Sequence, residues 1–180
     1  MKKIKVFRNL LLIAASLFIV ASACAQGDKS NRPSPPATAK GKVGAATITI
    51  DYSSPAVKGR TIWGSLVPWD KVWRAGANEA TIFTTDKPIK VEDKDLPAGK
   101  YSLFAIPNEH EWTIILNSET GQWGIKQGGE ANRDPAKDVL TVKVKPKKVS
   151  GMRENLTYTI NGKGFVLAWE KFEVPVAVKG

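Results

Sequence analysis

The chain of 180 residues contains one cysteine, Cys24, and one histidine, His110. A single cysteine cannot form a disulfide within one chain, and no thiol follows residue 25. His110 lies in a Pro-Asn-Glu-His-Glu segment that is typical of a polar turn. These scarcities argue against a Cys/His metal site, a cysteine nucleophile and a Ser-His-Asp triad. We therefore expect neither a metal nor a cofactor, and we assign no catalytic residue.

Long hydrophobic runs are also missing. The longest, residues 10–20, has eleven members with Ser16 as its only polar one, which is too short to span a bilayer as a helix. It follows a basic segment and therefore fits an export signal, which we predict over residues 1–25. Two processing routes remain open: cleavage before Gln26, or lipidation of Cys24 in a lipobox-like segment, residues 21–24. We expect a periplasmic protein or an outer-membrane lipoprotein, or alternatively a secreted one.

Acidic residues are fewer than basic ones, 17 against 27, and the net charge is +10. Four of the positive charges lie in the first ten residues, so removing the signal leaves +6. This balance favours solubility and weak attraction to acidic partners. The one dense basic run is better explained as protection of an edge strand than as a nucleic-acid site; it comprises Lys143, Lys145, Lys147 and Lys148. We expect no nucleic-acid partner, and membrane contact only through a lipid at Cys24.

Residues 27–42 contain three prolines and many small polar residues. Because such a segment buries little apolar surface, we predict a disordered Pro-rich tether over residues 26–42 and a folded domain over residues 43–180.

No segment beyond residue 25 shows a 3.6-residue apolar period. Instead, short runs alternate, as where Ile48 and Ile50 follow Thr47 and Thr49. Pro175 marks the last run as an edge strand. The predicted strands cover residues 43–52, 80–85, 89–92, 100–106, 112–117, 139–145, 156–160, 165–169 and 172–178. The pattern predicts an all-β chain with a single two-sheet β-sandwich or jelly-roll-like domain.

Residues 51–85 hold three of the six tryptophans and a dense set of polar side chains. The guanidinium of Arg74 suits a carboxylate or phosphate, Asn78 both donates and accepts, and Glu79 can orient Arg74. A tryptophan could supply a flat apolar wall. The candidate ligand-binding residues are Lys58, Arg60, Trp69, Asp70, Trp73, Arg74, Asn78 and Glu79. The expected ligand is a small molecule, a glycan or an envelope protein.

Two other interpretations compete with a binding module. Arg74 and Glu79 could pair in a rigid corner between the sheets, with the tryptophans in the core, which would make the protein purely structural. Alternatively, Glu79 with Asp70 or Asp51 could form the carboxylate pair of a glycan hydrolase. The absence of a clear catalytic constellation favours a protein that is not an enzyme.

Several motifs of this chain occur together in one known family. They are Asp51-Tyr52, Val57-Lys58-Gly59-Arg60, Ile62-Trp63-Gly64, Val72-Trp73-Arg74, Gly76-Ala77-Asn78-Glu79-Ala80, Leu96-Pro97-Ala98-Gly99, Glu111-Trp112-Thr113, Gln122-Trp123-Gly124 and Leu167-Ala168-Trp169-Glu170. Over about residues 33–178 the chain resembles the bacterial exported domain of unknown function 2911. The resemblance implies an exported, mostly β domain and no particular activity. The chain departs from the family's pattern at Ser54, where arginine is frequent, and over residues 125–136.

Overall fold

The computed structural model describes residues 29–180, and residues 33–180 form one compact unit. The predicted signal and Cys24 lie outside the described residues. The strands are β1 Pro36–Val43, β2 Ala46–Ser53, β3 Thr81–Thr85, β4 Ile89–Val91, β5 Lys94–Leu96, β6 Gly99–Ile106, β7 Trp112–Asn117, β8 Asp138–Val144, β9 Lys147–Asn161 and β10 Gly164–Lys179. One 3-10 turn, Pro135–Lys137, precedes β8.

Two antiparallel sheets form the domain. The larger has six strands in the order β1-β2-β3-β6-β7-β8, and the smaller has four in the order β5-β4-β10-β9. Alternate residues of each strand face the space between the sheets, so that Ile50, Phe83 and Leu103 meet Leu156 and Leu167 in one core. The predicted all-β, two-sheet class is confirmed.

Strand β1 corrects the predicted tether. Residues 36–43 pair along their whole length with β2, from Pro36 opposite Ser53 to Val43 opposite Ala46. The sequence pattern is weak here because the inward positions hold small side chains. Gly41 is small for a reason: a Cβ there would lie 2.8 Å from Cγ2 of Ile160. The domain therefore begins about ten residues earlier than predicted.

Strand β10 corrects two further expectations. The two strands predicted at residues 165–169 and 172–178 are one element that bends at Glu170, whose φ is 53°. After the bend, the end of β10 lies close to its beginning. The Val178 N–H there donates to the Lys163 carbonyl at 2.9 Å. Pro175 does not mark an edge, since β10 lies between β4 and β9. It falls instead between the residues that pair with β9 and those that pair with β4, where its missing N–H breaks no ladder.

An aromatic cluster fills one end of the core. Trp63 lies at its centre and stacks on Trp69, with ring centroids 6.0 Å apart. It meets four further rings edge to face at 5.0–5.8 Å, namely Trp73, Trp112, Trp169 and Phe172. Edge-to-face packing places the positive ring edge against a negative ring face, which adds to the stabilisation that comes from burying these large side chains.

Residues 54–80, which join β2 to β3, connect the two sheets. The Val57 N–H donates to the Glu154 carbonyl of β9 at 2.8 Å, and Trp73 exchanges two backbone hydrogen bonds with Ala105 of β6. The buried hydroxyl of Tyr158 donates to the Ala75 carbonyl at 2.8 Å. This connection is therefore a rigid part of the fold.

The loop of residues 118–134 covers part of the outer face of the larger sheet. Two fully buried polar side chains hold it there. Ser102 donates to the Glu119 carbonyl at 2.6 Å. Asn117 donates to the Asp134 carbonyl and to a carboxylate oxygen of Asp138, both at 2.8 Å, and accepts the Glu119 N–H at 3.0 Å. Because these buried groups are satisfied only when the loop is in place, the loop is anchored at both ends.

Candidate functional site

The structure distributes the eight predicted site residues over four places. Trp69 and Trp73 belong to the aromatic cluster, where Trp73 stacks on Trp169 with ring centroids 5.9 Å apart. Trp69 packs on Trp63 and against the backbone of Gly64, at which a Cβ would lie 2.9 Å from the indole nitrogen of Trp69. Both indoles pack against other aromatic rings of this cluster.

Lys58 and Arg60 lie where the connection meets β9. The Lys58 N–H donates to the Glu154 carboxylate at 2.8 Å. The Arg60 guanidinium donates to the carbonyls of Ala56 and Val57 at 2.5 and 3.1 Å. Both residues thus hold the backbone of a tight turn.

The carboxylates considered for hydrolysis are Asp51 on β2 and, at separate positions of the connection between β2 and β3, Asp70 and Glu79. Asp51 projects from the outer face of β2 and accepts from the Thr38 hydroxyl at 2.6 Å. Asp70 has a positive φ of 58° and accepts from the side-chain amide of Asn108 at 2.7 Å. Glu79 precedes β3, and no feature of the described geometry marks it and either aspartate as an acid–base pair.

Arg74 is half-buried in a corner before β3. Its guanidinium donates to the carbonyl of Gly76 at 3.4 Å and to that of Asn78 at 3.2 Å. Gly124 packs against it so closely that a Cβ there would lie 2.2 Å from Cδ of Arg74. Burial lowers the pKa of Arg74. Arg74 therefore joins the connection to the loop of residues 118–134.

Asn78 joins the same corner to the start of the domain. Its φ is 58°, a conformation that asparagine tolerates better than most residues. Its side-chain amide donates to the Ser34 carbonyl at 3.0 Å, and its own carbonyl accepts the Gly124 N–H at 3.0 Å. Arg74 and Asn78 are thus hydrogen-bonded to each other in this corner, and Glu79 follows directly in the chain.

Glu79 lies directly opposite Trp123 in an antiparallel bridge. The flanking hydrogen bonds run from the Gly124 N–H to the Asn78 carbonyl and from the Ala80 N–H to the Gln122 carbonyl. This arrangement makes Glu79 and Trp123 a non-hydrogen-bonded pair, in which the two Cα atoms are about 4.5 Å apart and the side chains share one face. The side chains of Trp123 and Glu79 therefore leave the backbone side by side.

Trp123 is the candidate residue that sequence reasoning missed. It is 47% exposed, whereas Trp112 and Trp169 are buried. In the sequence its Gln-Trp-Gly segment stands out only as a family motif, and no local pattern indicates that it pairs with Glu79. The only sequence signal was the position of a tryptophan in a Gly-rich loop that lacks strand alternation.

A family model described as "Protein of unknown function (DUF2911)" matches residues 34–178. The chain belongs to this family. The match confirms the resemblance inferred from the motifs. No curated protein and no solved structure matches the chain.

The family match begins two residues before β1 and ends within β10, so the DUF2911 domain coincides with the two-sheet unit. Both the Arg74 corner and Trp123 lie inside it. Within residues 29–180, no group of three or more His, Cys, Asp or Glu side chains is arranged to hold a metal ion. In that same part of the chain, no helix has the length and apolarity needed to cross a membrane.

Proposed function

We propose that this DUF2911 domain is a glycan-binding module of the bacterial envelope and that Trp123 with Glu79 forms its ligand platform. The observation that carries the proposal is the half-exposed indole of Trp123 on an anchored loop. Leaving about half of a tryptophan in water forgoes burial energy that most folds use. A ligand that covers this ring would recover that energy.

The chemistry of the pair matches a sugar ring. An indole face carries the negative part of the ring quadrupole, and the C–H groups on one face of a sugar present weakly positive hydrogens to it. A neighbouring carboxylate accepts hydrogen bonds from hydroxyl groups, and such charge-assisted bonds are stronger than neutral ones. Trp123 and Glu79 offer both features on one face.

The platform is rigid before any ligand arrives. Arg74 and Asn78 hold the segment that carries Glu79, while Ser102 and Asn117 hold the loop that carries Trp123. A preorganised aromatic side chain loses little conformational entropy on binding. The predicted cluster is therefore proposed to support the site, with Trp123 making the main contact.

Export is part of the proposal and is supported by the sequence alone. The basic segment, the eleven-residue apolar run and the small residues around Cys24 are typical of a signal peptide. Glycans of the envelope would then be the ligands within reach.

The test uses the chain from residue 26 onward, labelled with ¹⁵N. Its six tryptophans supply six indole N–H signals in one NMR spectrum. Soluble N-acetylated and uronate-containing oligosaccharides are added, and short peptides of similar size serve as a comparison. We expect one class of oligosaccharide to shift the Trp123 signal saturably, and Trp123→Ala and Glu79→Gln to weaken its binding at least tenfold.

Met152→Ala is the control, because Met152 is 53% exposed on β9, a different element. It should leave glycan affinity unchanged. The five remaining indole signals show whether Trp123→Ala is folded. The proposal is wrong if no oligosaccharide shifts Trp123, if peptides alone do so, or if folded Trp123→Ala binds as tightly as the parent.

A further inference from the structure

A groove of about 500 Å³ separates residues 68–72 from the tip of the loop at residues 128–133. Its volume is in the range of small-molecule sites. Val72 and Ala131 line its apolar base, since both pack against the buried cluster that contains Phe104 and Ile115 of the larger sheet. The groove is lined by neither Trp123 nor Glu79, so it is independent of the proposed platform.

Two opposite charges line this groove on different segments. Lys71 belongs to one wall and Glu130 to the other. Within residues 29–180, neither side chain forms an ion pair or a hydrogen bond, with the other or with any third residue. Opposite charges that lie beside one cavity without pairing are available to a ligand that carries both charges.

A third charged residue, Arg133, is already neutralised. Its Nε donates to a carboxylate oxygen of Asp138 at 2.9 Å, and its Nη2 donates to the second oxygen. Asn117 holds that same carboxylate at 2.8 Å. The charges of the groove therefore balance overall, which disfavours a ligand that is only anionic or only cationic.

The lip of the groove is backbone. Gly128 and Gly129 have φ of 112° and 91°, which side chains with a Cβ rarely adopt, and no atom lies within 4 Å of the place a Cβ would occupy at either. Exposed peptide groups can thus approach a ligand closely. Polar backbone at the rim and apolar side chains at the base suit a small molecule with charged ends and an apolar body.

We propose that this groove binds an apolar zwitterion, namely a free amino acid or a short peptide with both termini unblocked. Lys71 binds the carboxylate and Glu130 binds the ammonium group. The apolar side chain of the ligand lies against Val72, Ala131 and Pro68.

The test titrates the chain from residue 26 onward with L-leucine and with the dipeptide Ala-Leu, followed by NMR. Saturable shifts are expected at the amides of Val72, Gly129 and Ala131. The same titration is repeated with N-acetyl-Ala-Leu and with Ala-Leu amide. Each blocked peptide should bind at least fivefold more weakly than the free dipeptide.

Two substitutions assign the ends of the ligand. Lys71→Met should lower the affinity for free Ala-Leu at least fivefold. It should leave the affinity for Ala-Leu amide unchanged, because the amide has no carboxylate for Lys71 to bind. Glu130→Gln should also lower the affinity for free Ala-Leu at least fivefold. It should leave the affinity for N-acetyl-Ala-Leu unchanged. Lys126→Met, on the same loop but outside the groove, is the matched control and should change nothing.

Three results would overturn the proposal. They are the absence of saturable shifts with both L-leucine and Ala-Leu up to their solubility limits, equal affinity for free and blocked dipeptides, and equal loss of affinity with Lys126→Met and Lys71→Met. None of these results bears on glycan binding at Trp123.

Discussion

Replacing Asn117 with alanine should detach the loop of residues 118–134 from the larger sheet. Asn117 is completely buried at the end of β7, and its side chain makes three hydrogen bonds with Glu119, Asp134 and Asp138. The substitution removes all three and leaves the Glu119 N–H without its acceptor. The substitution changes little apolar contact, so the change in the free energy of unfolding measures the contribution of these hydrogen bonds.

The expected loss follows from those three bonds. A buried hydrogen bond contributes about 1 kcal/mol to stability, and more when one partner is charged, as Asp138 is. Asn117→Ala should therefore lower the free energy of unfolding by about 3 kcal/mol. For a domain of this size that corresponds to a fall in Tm of roughly 6–12 °C.

Urea and thermal unfolding, followed by circular dichroism, would measure this loss. Asn155→Ala is the control, because Asn155 is exposed on β9 and should change stability by less than about 0.5 kcal/mol. Hydrogen exchange at the Glu119 and Gly124 amides should accelerate more than exchange in β2 if the loop opens locally. A loss below about 1 kcal/mol, with unchanged exchange in the loop, would refute the claim that Asn117 anchors it.

Three further predictions concern other parts of the fold. Gly164→Ala should destabilise the protein by more than about 3 kcal/mol, since its Cβ would lie 2.1 Å from the Val176 carbonyl oxygen. At Gly162, in the same turn, a Cβ would meet no atom, so Gly162→Ala should be neutral. Urea unfolding of both variants tests this difference. Tyr158→Phe removes a buried hydrogen bond and should cost about 1 kcal/mol, which thermal unfolding would detect; an unchanged Tm would contradict it. Burial would raise the pKa of Asp138, but hydrogen bonds from its arginine and asparagine partners, with the arginine charge, lower it. The charged Asp138 carboxylate therefore stabilises the fold at pH values above the pKa of the unfolded state. This stabilisation is lost as the pH falls through the pKa of the folded state. Acidification below about pH 4 should therefore destabilise the wild type more than Asp138→Asn.

Local pattern predicted most of the strands. The alternation of Ile48 and Ile50 with threonines, and of Leu140 and Val142 with polar residues, reappears as β2 and β8 with those apolar side chains buried. A strand with one buried face repeats every two residues, so this information is carried by neighbours in the chain. Strand β1 escaped prediction because its inward positions before Val43 hold only alanine and glycine, and Gly41 lies against Ile160, which is more than one hundred residues away.

The candidate site was predictable only in part, for the same reason. Arg74, Asn78 and Glu79 are close in sequence and are also close in the structure. Trp123, in contrast, is distant from Glu79 in the sequence. It lies opposite Glu79 only because buried Ser102 and Asn117 hold its loop over the sheet.

The sequence by itself determined the fold class, the family and the turn signals, since each depends on residue types at short, regular spacing. Only the tertiary structure decided which tryptophans are core and which one faces solvent. It also decided which charges are paired and which, like Lys71 and Glu130, line a groove without pairing. These outcomes depend on contacts between distant segments, which are set by strand pairing and by the burial of polar groups that must find partners.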